Sequence, residues 1–205
     1  SSGFLVAVAY TKCEPALVLL AAWSLVGEVP TPIQVAAILA ATAGVLLMAW
    51  PVPEKRHAAW GRPLALGVGS GALFALSAVC FREAILSLDH PNFVVAATTT
   101  LAIVLLIQTI VLSCWLGATQ PRTLVILLAR PAAALPAGLC GAVASALWFL
   151  AFALAPTPLV RTLALVEIAF SHILGKRLFA ERPTVREATG ATILTLAIAG
   201  LLLGA

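Results

Sequence analysis

Charge is scarce in this sequence of 205 residues. Charged residues make up 10% of it, whereas an ordinary globular domain carries about 25%. Hydrophobic residues make up 62%, and the mean hydropathy is +1.09. A soluble chain of this length could not cover so much apolar surface on every side of its helices. The shortage of charge therefore predicts that a lipid bilayer surrounds most of the chain.

The sequence also lacks the motifs of hydrolytic and metal-dependent enzymes. It has three widely separated histidines and contains neither H-E-x-x-H nor G-x-S-x-G, so it offers no recognisable nucleophile with its base. Its four cysteines lie far apart without C-x-x-C spacing, which argues against zinc and disulfides and favours small hydrophobic side chains. We predict no enzymatic activity, no metal and no cofactor.

Positive charge is present but dispersed. The twelve lysines and arginines give a net charge of +4 and lie between apolar runs, which is typical of membrane-protein loops rather than of a nucleic-acid surface. Counted by alternate loops, nine fall on one side of the membrane, and Arg82 and Arg161 fall on the other. The positive-inside rule places the nine in the cytoplasm and the C-terminus outside.

Long apolar runs make up most of the sequence. A spanning helix needs about 20 apolar residues, and runs of about that length are bounded by charge, proline or glycine. We expect an all-α, polytopic transmembrane bundle of about seven helices. The runs cover residues 4–27, 33–50, 63–82, 92–117, 131–156, 158–179 and 187–204. Between the fourth and fifth runs, Gln120-Pro-Arg122 is expected to be a connector, because proline is common where a helix must stop.

Two parts of the sequence resemble each other. In each part, one glutamate lies inside an apolar run, and another closes that run fourteen residues later. Such self-similarity is typical of proteins built from repeats. At a constant offset of 153, Glu14, Gly27-Glu28 and Thr31 match Glu167, Ala180-Glu181 and Thr184.

A second apolar helix follows in each copy, and we expect it to end in a small-residue turn. The turns are Ala43-Gly44-Val45-Leu46-Leu47 and Ala199-Gly200-Leu201-Leu202-Leu203, where the offset grows by three. Together with Glu14-Pro15, Glu181-Arg182 and Thr189-Gly190, this pattern resembles the EamA-type members of the drug/metabolite transporter superfamily. The departures are Val29 for the usual arginine and Ile168 for proline.

The resemblance implies two five-helix repeats, and an odd number of spans per repeat makes the copies inverted in the membrane. Residues 1–50 would then be the last two helices of the first repeat, 51–62 the inter-repeat loop, and 63–205 the complete second repeat. Three helices are expected to precede residue 1. The family implies secondary transport of small metabolites or drug-like solutes, often efflux, across the bacterial cytoplasmic (inner) membrane. A homodimer is left open. The orientation is also left open, because the family is expected to keep both termini in the cytoplasm, whereas the positive-inside rule places the C-terminus outside.

Ionisable groups inside apolar helices point to the site, because an ionised side chain costs about 2.5–3.5 kcal/mol at the bilayer centre. Tyr10 and Glu14 share one helix face, and Glu167 and Ser171 share the equivalent face of the second copy. Trp148 adds an aromatic surface. We predict that these five residues line a central substrate cavity, although the first face could also be a packing seam of small residues.

Proton coupling is a further expectation. Glu14, Glu167 and His172 could change charge near neutral pH once burial shifts them. His172 and Arg161 lie on a face next to that of Glu167. The structural alternatives are a Glu167 hydrogen-bonded to a neighbouring helix and a His172 satisfied by a backbone carbonyl.

The leading hypothesis is transport by alternating access. One rival is an integral membrane enzyme, which the missing motifs disfavour. The other is a seven-helix receptor or retinal protein, but the last run has no lysine for a Schiff base, and this reading leaves the repeat unexplained.

Overall fold

The computed structural model describes residues 11, 13–49, 61–129, 131–167, 170 and 184–203. Within these residues every regular element is a helix, which confirms the predicted all-α class. The helices are α1 (Glu14–Ala21, continued by a π-helical segment, Ala22–Val26), α2 (Pro32–Ala49), α3 (Gly61–Leu86), α4 (Phe93–Thr119), α5 (Pro121–Ala129), α6 (Pro131–Leu154), α7 (Thr157–Ala164) and α8 (Val185–Leu203).

Four of the described helices are long and apolar enough to cross a membrane, and they indicate a multi-pass membrane protein. Two shorter apolar segments, Glu14–Val26 and Pro32–Met48, accompany them. The predicted runs 4–27 and 158–179 lie partly outside the described residues, so the count of seven stays a prediction. The four candidate spans are Leu64–Leu86, Phe93–Thr119, Ala134–Leu154 and Val185–Leu203.

Two local predictions were wrong. Gly44 and Gly200 do not lie in turns, because both are inside helices, α2 and α8. The stretch after Gln120 was expected to be a connector, yet Pro121 opens the helix α5. Proline suits the first position of a helix, where its missing N–H would have no partner anyway.

The contacts divide the chain into two compact units. The first unit comprises Ser1–Cys80 with Pro156–Ala205, and the second comprises Phe81–Ala155. These units are defined by packing, and the predicted boundaries of the two repeats remain a prediction from sequence.

In the first unit α2 and α8 pack against each other along their lengths. Ala41 and Val45 of α2 are buried with Leu194 of α8, whereas Ile38 is buried with Leu201. Because the order of contacts is reversed along the two helices, they run antiparallel.

The closest approach of α2 and α8 is at two glycines. A Cβ placed on Gly190 would lie 2.5 Å from the carbonyl oxygen of Gly44, and one placed on Gly44 would lie 2.8 Å from the carbonyl oxygen of Gly190. Neither distance is compatible with a side chain. Small residues at such crossings let backbones approach, which stabilises helix pairs in membranes.

Both of these helices begin with a reciprocal capping box. The Thr31 N–H donates to Gln34 Oε1 at 3.0 Å, and the Gln34 N–H donates to Thr31 Oγ1 at 3.3 Å. The Thr184 N–H donates to Glu187 Oε2 at 2.8 Å, and the Glu187 N–H donates to Thr184 Oγ1 at 3.4 Å. Each box satisfies two donors that a helix start leaves without intrahelical partners.

In the second unit α6 packs against α4, and it also contacts the last turns of α3. Phe149 and Phe152 of α6 are buried, and the Phe149 ring lies 5.0 Å from the ring of Phe81. Arg82 donates from Nη1 to the carbonyl oxygens of Phe152 and Ala155, at 2.5 and 2.6 Å. This arginine therefore satisfies carbonyls at the C-terminal end of α6.

Candidate functional site

An ion pair joins α1 and α7 within the first unit. Glu14 is the first residue of α1, and Arg161 lies in the second turn of α7. Both Nε and Nη2 of Arg161 contact Oε1 of Glu14. The side chains are only 13% exposed for Arg161 and 18% for Glu14. Charges this far withdrawn from solvent need a partner of opposite sign, because the desolvation cost is otherwise large.

An aromatic ring completes this cluster. The guanidinium carbon of Arg161 lies 4.8 Å from the centroid of the Phe74 ring on α3, within the range of a cation–π contact. The Glu14–Arg161 pair and Phe74 therefore connect three helices, α1, α3 and α7.

The sequence pointed to Glu14 but not to its partner. At the repeat offset of 153, the position equivalent to Arg161 in the first copy is Val8. The repeat therefore contains no second glutamate–arginine pair that could have revealed the first. The sequence contained one indication of this partner. Arg161 is a charged residue near the start of an apolar run, and it lies on the side of the membrane that has fewer lysines and arginines when these are counted by alternate loops.

The other predicted site residues have mixed placements. Glu167 is exposed and lies just after the interruption of the helix at Leu165. Trp148 is half-buried in the second unit, where its ring lies 5.6 Å from that of Phe152. Tyr10, Ser171 and His172 lie outside the described residues. A single cavity lined by all five predicted residues therefore stays a prediction.

A cavity of about 200 Å³ lies elsewhere in the first unit. It forms where the end of α1 meets the start of α2, the start of α7 and the end of α8. Its walls are mainly apolar, and its polar groups come from the loop and first turn between α1 and α2. Leu19, Ile38, Leu159 and Leu201 contribute apolar walls, and Glu28 and Gln34 contribute the polar groups.

The local backbone brings Glu28 to this cavity. Helix α1 widens into a π-helical segment and ends at Gly27, whose φ of 73° is left-handed and favours glycine. The N–H groups of Gly27 and Glu28 both donate to the carbonyl oxygen of Ala22. The chain thus turns sharply, and Oε2 of Glu28 is buried. Sequence reasoning identified Glu28 as a helix-closing residue and missed its place in a cavity.

A second hollow, of about 480 Å³, lies beside the π-helical segment. Leu20, Trp23 and Val35 line it, and it shares Leu19 and Pro30 with the first cavity. Single π-helical turns inside α-helices occur often at functional sites. Both hollows in the first unit therefore surround the irregular end of α1.

Comparison with known proteins adds no relative. No protein-family model, no curated protein and no solved structure matches the chain. Within the described residues, no group of three or more His, Cys, Asp or Glu side chains could hold a metal ion. The fold and the site together define a multi-pass helical membrane protein with a mostly buried ion pair between two of its helices.

Proposed function

We propose that the protein is a secondary transporter that moves small metabolites or drug-like solutes across the bacterial cytoplasmic membrane by alternating access. The observation that carries this proposal is the Glu14–Arg161 pair. Ionisable side chains are costly in apolar helical bundles, and those that occur there commonly mark substrate or ion pathways. A pair that connects two helices is therefore better explained by a solute path than by stability alone, because buried ion pairs contribute little net stability.

The arrangement of α2 and α8 supports an inverted repeat. Their capping boxes begin at Thr31 and Thr184, which are separated by the offset of 153 found in the sequence. Ala41 and Leu194 are related by the same offset and are buried in the same cluster. Antiparallel packing that buries equivalent residues in one cluster is expected when two copies are related by a two-fold axis in the membrane plane. This plan is also the one that the EamA-type resemblance implies.

The pair suggests how solute arrival is coupled to movement. A cationic group or a proton that reaches Glu14 competes with Arg161 for the carboxylate. Once Arg161 is displaced, the link between α1 and α7 is lost, and the helices can adopt a second arrangement. A ligand shifts such an equilibrium only by its difference in affinity for the two states, and competition for Glu14 provides that difference.

The remaining predicted residues keep their proposed roles in this scheme. Tyr10, Trp148 and Ser171 are proposed to line the solute path, and Glu167 and His172 are proposed to take part in proton coupling with Glu14. No described contact favours the membrane-enzyme or receptor alternatives.

Exchange of solutes in proteoliposomes tests the proposal. The purified chain is reconstituted, and uptake is measured for a panel of radiolabelled amino acids, amines and nucleosides against an internal pool of the same solute. We expect saturable exchange of at least one solute, slowed at least about tenfold, a loss of about 1.4 kcal/mol in transition-state stabilisation, by Glu14→Gln and by Arg161→Gln.

Glu83→Gln is the matched control, because it removes one negative charge from α3 within the second unit. Its exchange rate should equal that of the wild type. Absence of saturable exchange across the panel, or wild-type rates in both Glu14→Gln and Arg161→Gln when both variants are folded, contradicts the proposal.

A further inference from the structure

Helix α5 is apolar but too short to cross a membrane. It spans nine residues, Pro121–Ala129, and is therefore about 14 Å long, whereas the hydrocarbon core of a bilayer is about 30 Å thick. It packs against α4 and α6, yet Val125, Ile126 and Leu127 are each more than half exposed. A short helix that exposes apolar side chains beside a polar first turn is typical of a segment that lies in the membrane interface.

The neighbours of α5 in the chain place it at one surface of the membrane. It follows α4, a candidate span of 27 residues, whose length of about 40 Å exceeds the hydrocarbon core. Trp115 is more than half exposed near the end of α4, and tryptophan is enriched at the membrane–water interface. Gln120 then has a non-helical backbone, with φ −143° and ψ 61°, so α5 does not continue the axis of α4. The next candidate span begins at Ala134.

The charge at this surface is positive. Arg122 is exposed, and it lies two residues before the half-buried Leu124, about 200° around the helix, so it is on the side of α5 opposite to that residue. Among the described residues, no ion pair or hydrogen bond engages the guanidinium of Arg122. From residue 90 to residue 166 the sequence contains three arginines and neither Asp nor Glu. An arginine so placed attracts anionic headgroups, by about fivefold in affinity.

We infer that α5 and the end of α4 form a surface that binds anionic phospholipids, with the headgroup phosphate at Arg122 and the acyl chains beside Val125 and Leu127. The ligand is a lipid rather than a soluble anion, because exposed apolar side chains adjoin the arginine. The inference goes beyond the proposed transport function, since it requires neither solute movement nor the Glu14–Arg161 pair.

Quenching of a tryptophan on α5 by brominated lipids tests this inference. The full chain carries Val125→Trp after its five native tryptophans are replaced by phenylalanine. It is reconstituted in nanodiscs that contain brominated phosphatidylglycerol or brominated phosphatidylcholine at equal mole fraction. We expect the relative association constant to favour phosphatidylglycerol about fivefold. The matched reporter Ile107→Trp, at a more than half exposed position in the middle of α4, should be quenched equally by the two lipids.

Arginine variants in the Val125→Trp background separate the charge from the fold. Arg122→Gln should abolish the preference, and Arg122→Lys should keep it. Arg186→Gln is the matched control, because it removes an exposed arginine from α8 in the first unit, and it should keep the preference. High salt should weaken the preference by screening exposed charge, and inorganic phosphate should act no more strongly than chloride of the same ionic strength.

A second measurement leaves the native tryptophans in place. Electron spin resonance of spin-labelled phosphatidylglycerol and phosphatidylcholine reports how much of each lipid the protein immobilises. Selectivity for phosphatidylglycerol should fall in Arg122→Gln and stay at the wild-type value in Arg186→Gln. If the chain without native tryptophans does not fold, this comparison decides the matter, and equal selectivity in the two variants refutes the inference.

Three results of the quenching experiment would overturn the inference. The first is no preference for phosphatidylglycerol at Val125→Trp, or the same preference at Ile107→Trp. The second is an unchanged preference in Arg122→Gln. The third is a preference that inorganic phosphate removes and chloride does not, which would identify a soluble anion as the ligand. None of these results bears on solute exchange by Glu14→Gln and Arg161→Gln, so the two proposals stand or fall separately.

Discussion

Each unit of the protein contains a partly buried arginine on an apolar helix, and the two arginines have different partners. In the first unit Arg161 contacts the carboxylate of Glu14 and the ring of Phe74. In the second unit Arg82 donates to the carbonyl oxygens of Phe152 and Ala155.

The difference separates a structural role from the functional role that we propose. Carbonyls in the last turn of a helix have no intrahelical donor, so Arg82 supplies hydrogen bonds that the fold of α6 needs. A backbone carbonyl cannot be protonated at physiological pH, and its partner is fixed. A carboxylate can take a proton or exchange one cation for another, and this is why we place the function at Arg161.

The largest loss of stability is expected when the ion pair is broken on one side. Arg161→Gln leaves the Glu14 carboxylate mostly buried without its guanidinium, which should cost about 3 kcal/mol of unfolding free energy. The double variant Glu14→Gln/Arg161→Gln should recover part of this loss, because the uncompensated charge is gone. Denaturant unfolding in detergent measures the coupling, and strictly additive effects would mean that the two side chains do not interact.

Replacement of Arg82 should lower the free energy of unfolding by less than replacement of Arg161, and it should leave solute exchange nearly unchanged. Arg82→Met removes charge-assisted hydrogen bonds to two carbonyls, which should lower the unfolding free energy by about 2 kcal/mol. Solute exchange by the folded variant should remain within about twofold of wild type, a change of under about 0.5 kcal/mol in barrier height. A strong loss of exchange at a temperature where the variant is folded would remove the distinction between the two arginines.

The glycine crossing tests whether tight packing holds the first unit together. Gly190→Ala places a Cβ against the backbone of Gly44 and should cost about 1.5 kcal/mol through overpacking. Gly200→Ala on the same helix meets no described atom within 4 Å and should be neutral or stabilising by up to about 1 kcal/mol. Equal effects in thermal unfolding would argue against the close approach of α2 and α8.

The smallest losses of stability are expected when the threonines of the two capping boxes are replaced, and the two losses should be equal. Thr31→Ala and Thr184→Ala each remove the hydroxyl that accepts a backbone N–H, at a cost of about 1 kcal/mol. The serine replacements keep a hydroxyl and should lose only a fraction of this. A loss at one cap and none at the other, measured by thermal unfolding, would argue against equivalence of the two copies.

Much of the helical class could be predicted because long apolar runs admit few structures in lipid, where backbone groups must be satisfied within the chain. The position of glycines was harder to interpret. Gly44 lies in a pattern that fits either a turn or a helix crossing, and only the partner helix decides between them. Pro121 was interpreted as a stop, although proline also begins helices.

The site could be predicted in part for the same physical reason. A glutamate within an apolar run is informative by itself, so Glu14 was identified. Its partner Arg161 is 147 residues away, and no local pattern specifies such a pairing. The cavity at Glu28 depends on the convergence of four helix ends, which is a property of tertiary packing rather than of any one segment.

Water access at position 14 is the most direct test of the claim that the ion pair lies on a solute path. In a cysteine-free background, Glu14→Cys, Val18→Cys and Leu106→Cys would be treated with impermeant anionic and cationic methanethiosulfonates. Val18 is buried at 0% exposure. Leu106 is 61% exposed in the candidate span Phe93–Thr119 and is expected to face lipid, so the thiols at both positions should resist these reagents. We predict that the thiol of Glu14→Cys reacts, and faster with the anionic reagent because Arg161 attracts it. If that thiol were as protected as those of Val18→Cys and Leu106→Cys, the result would contradict the account.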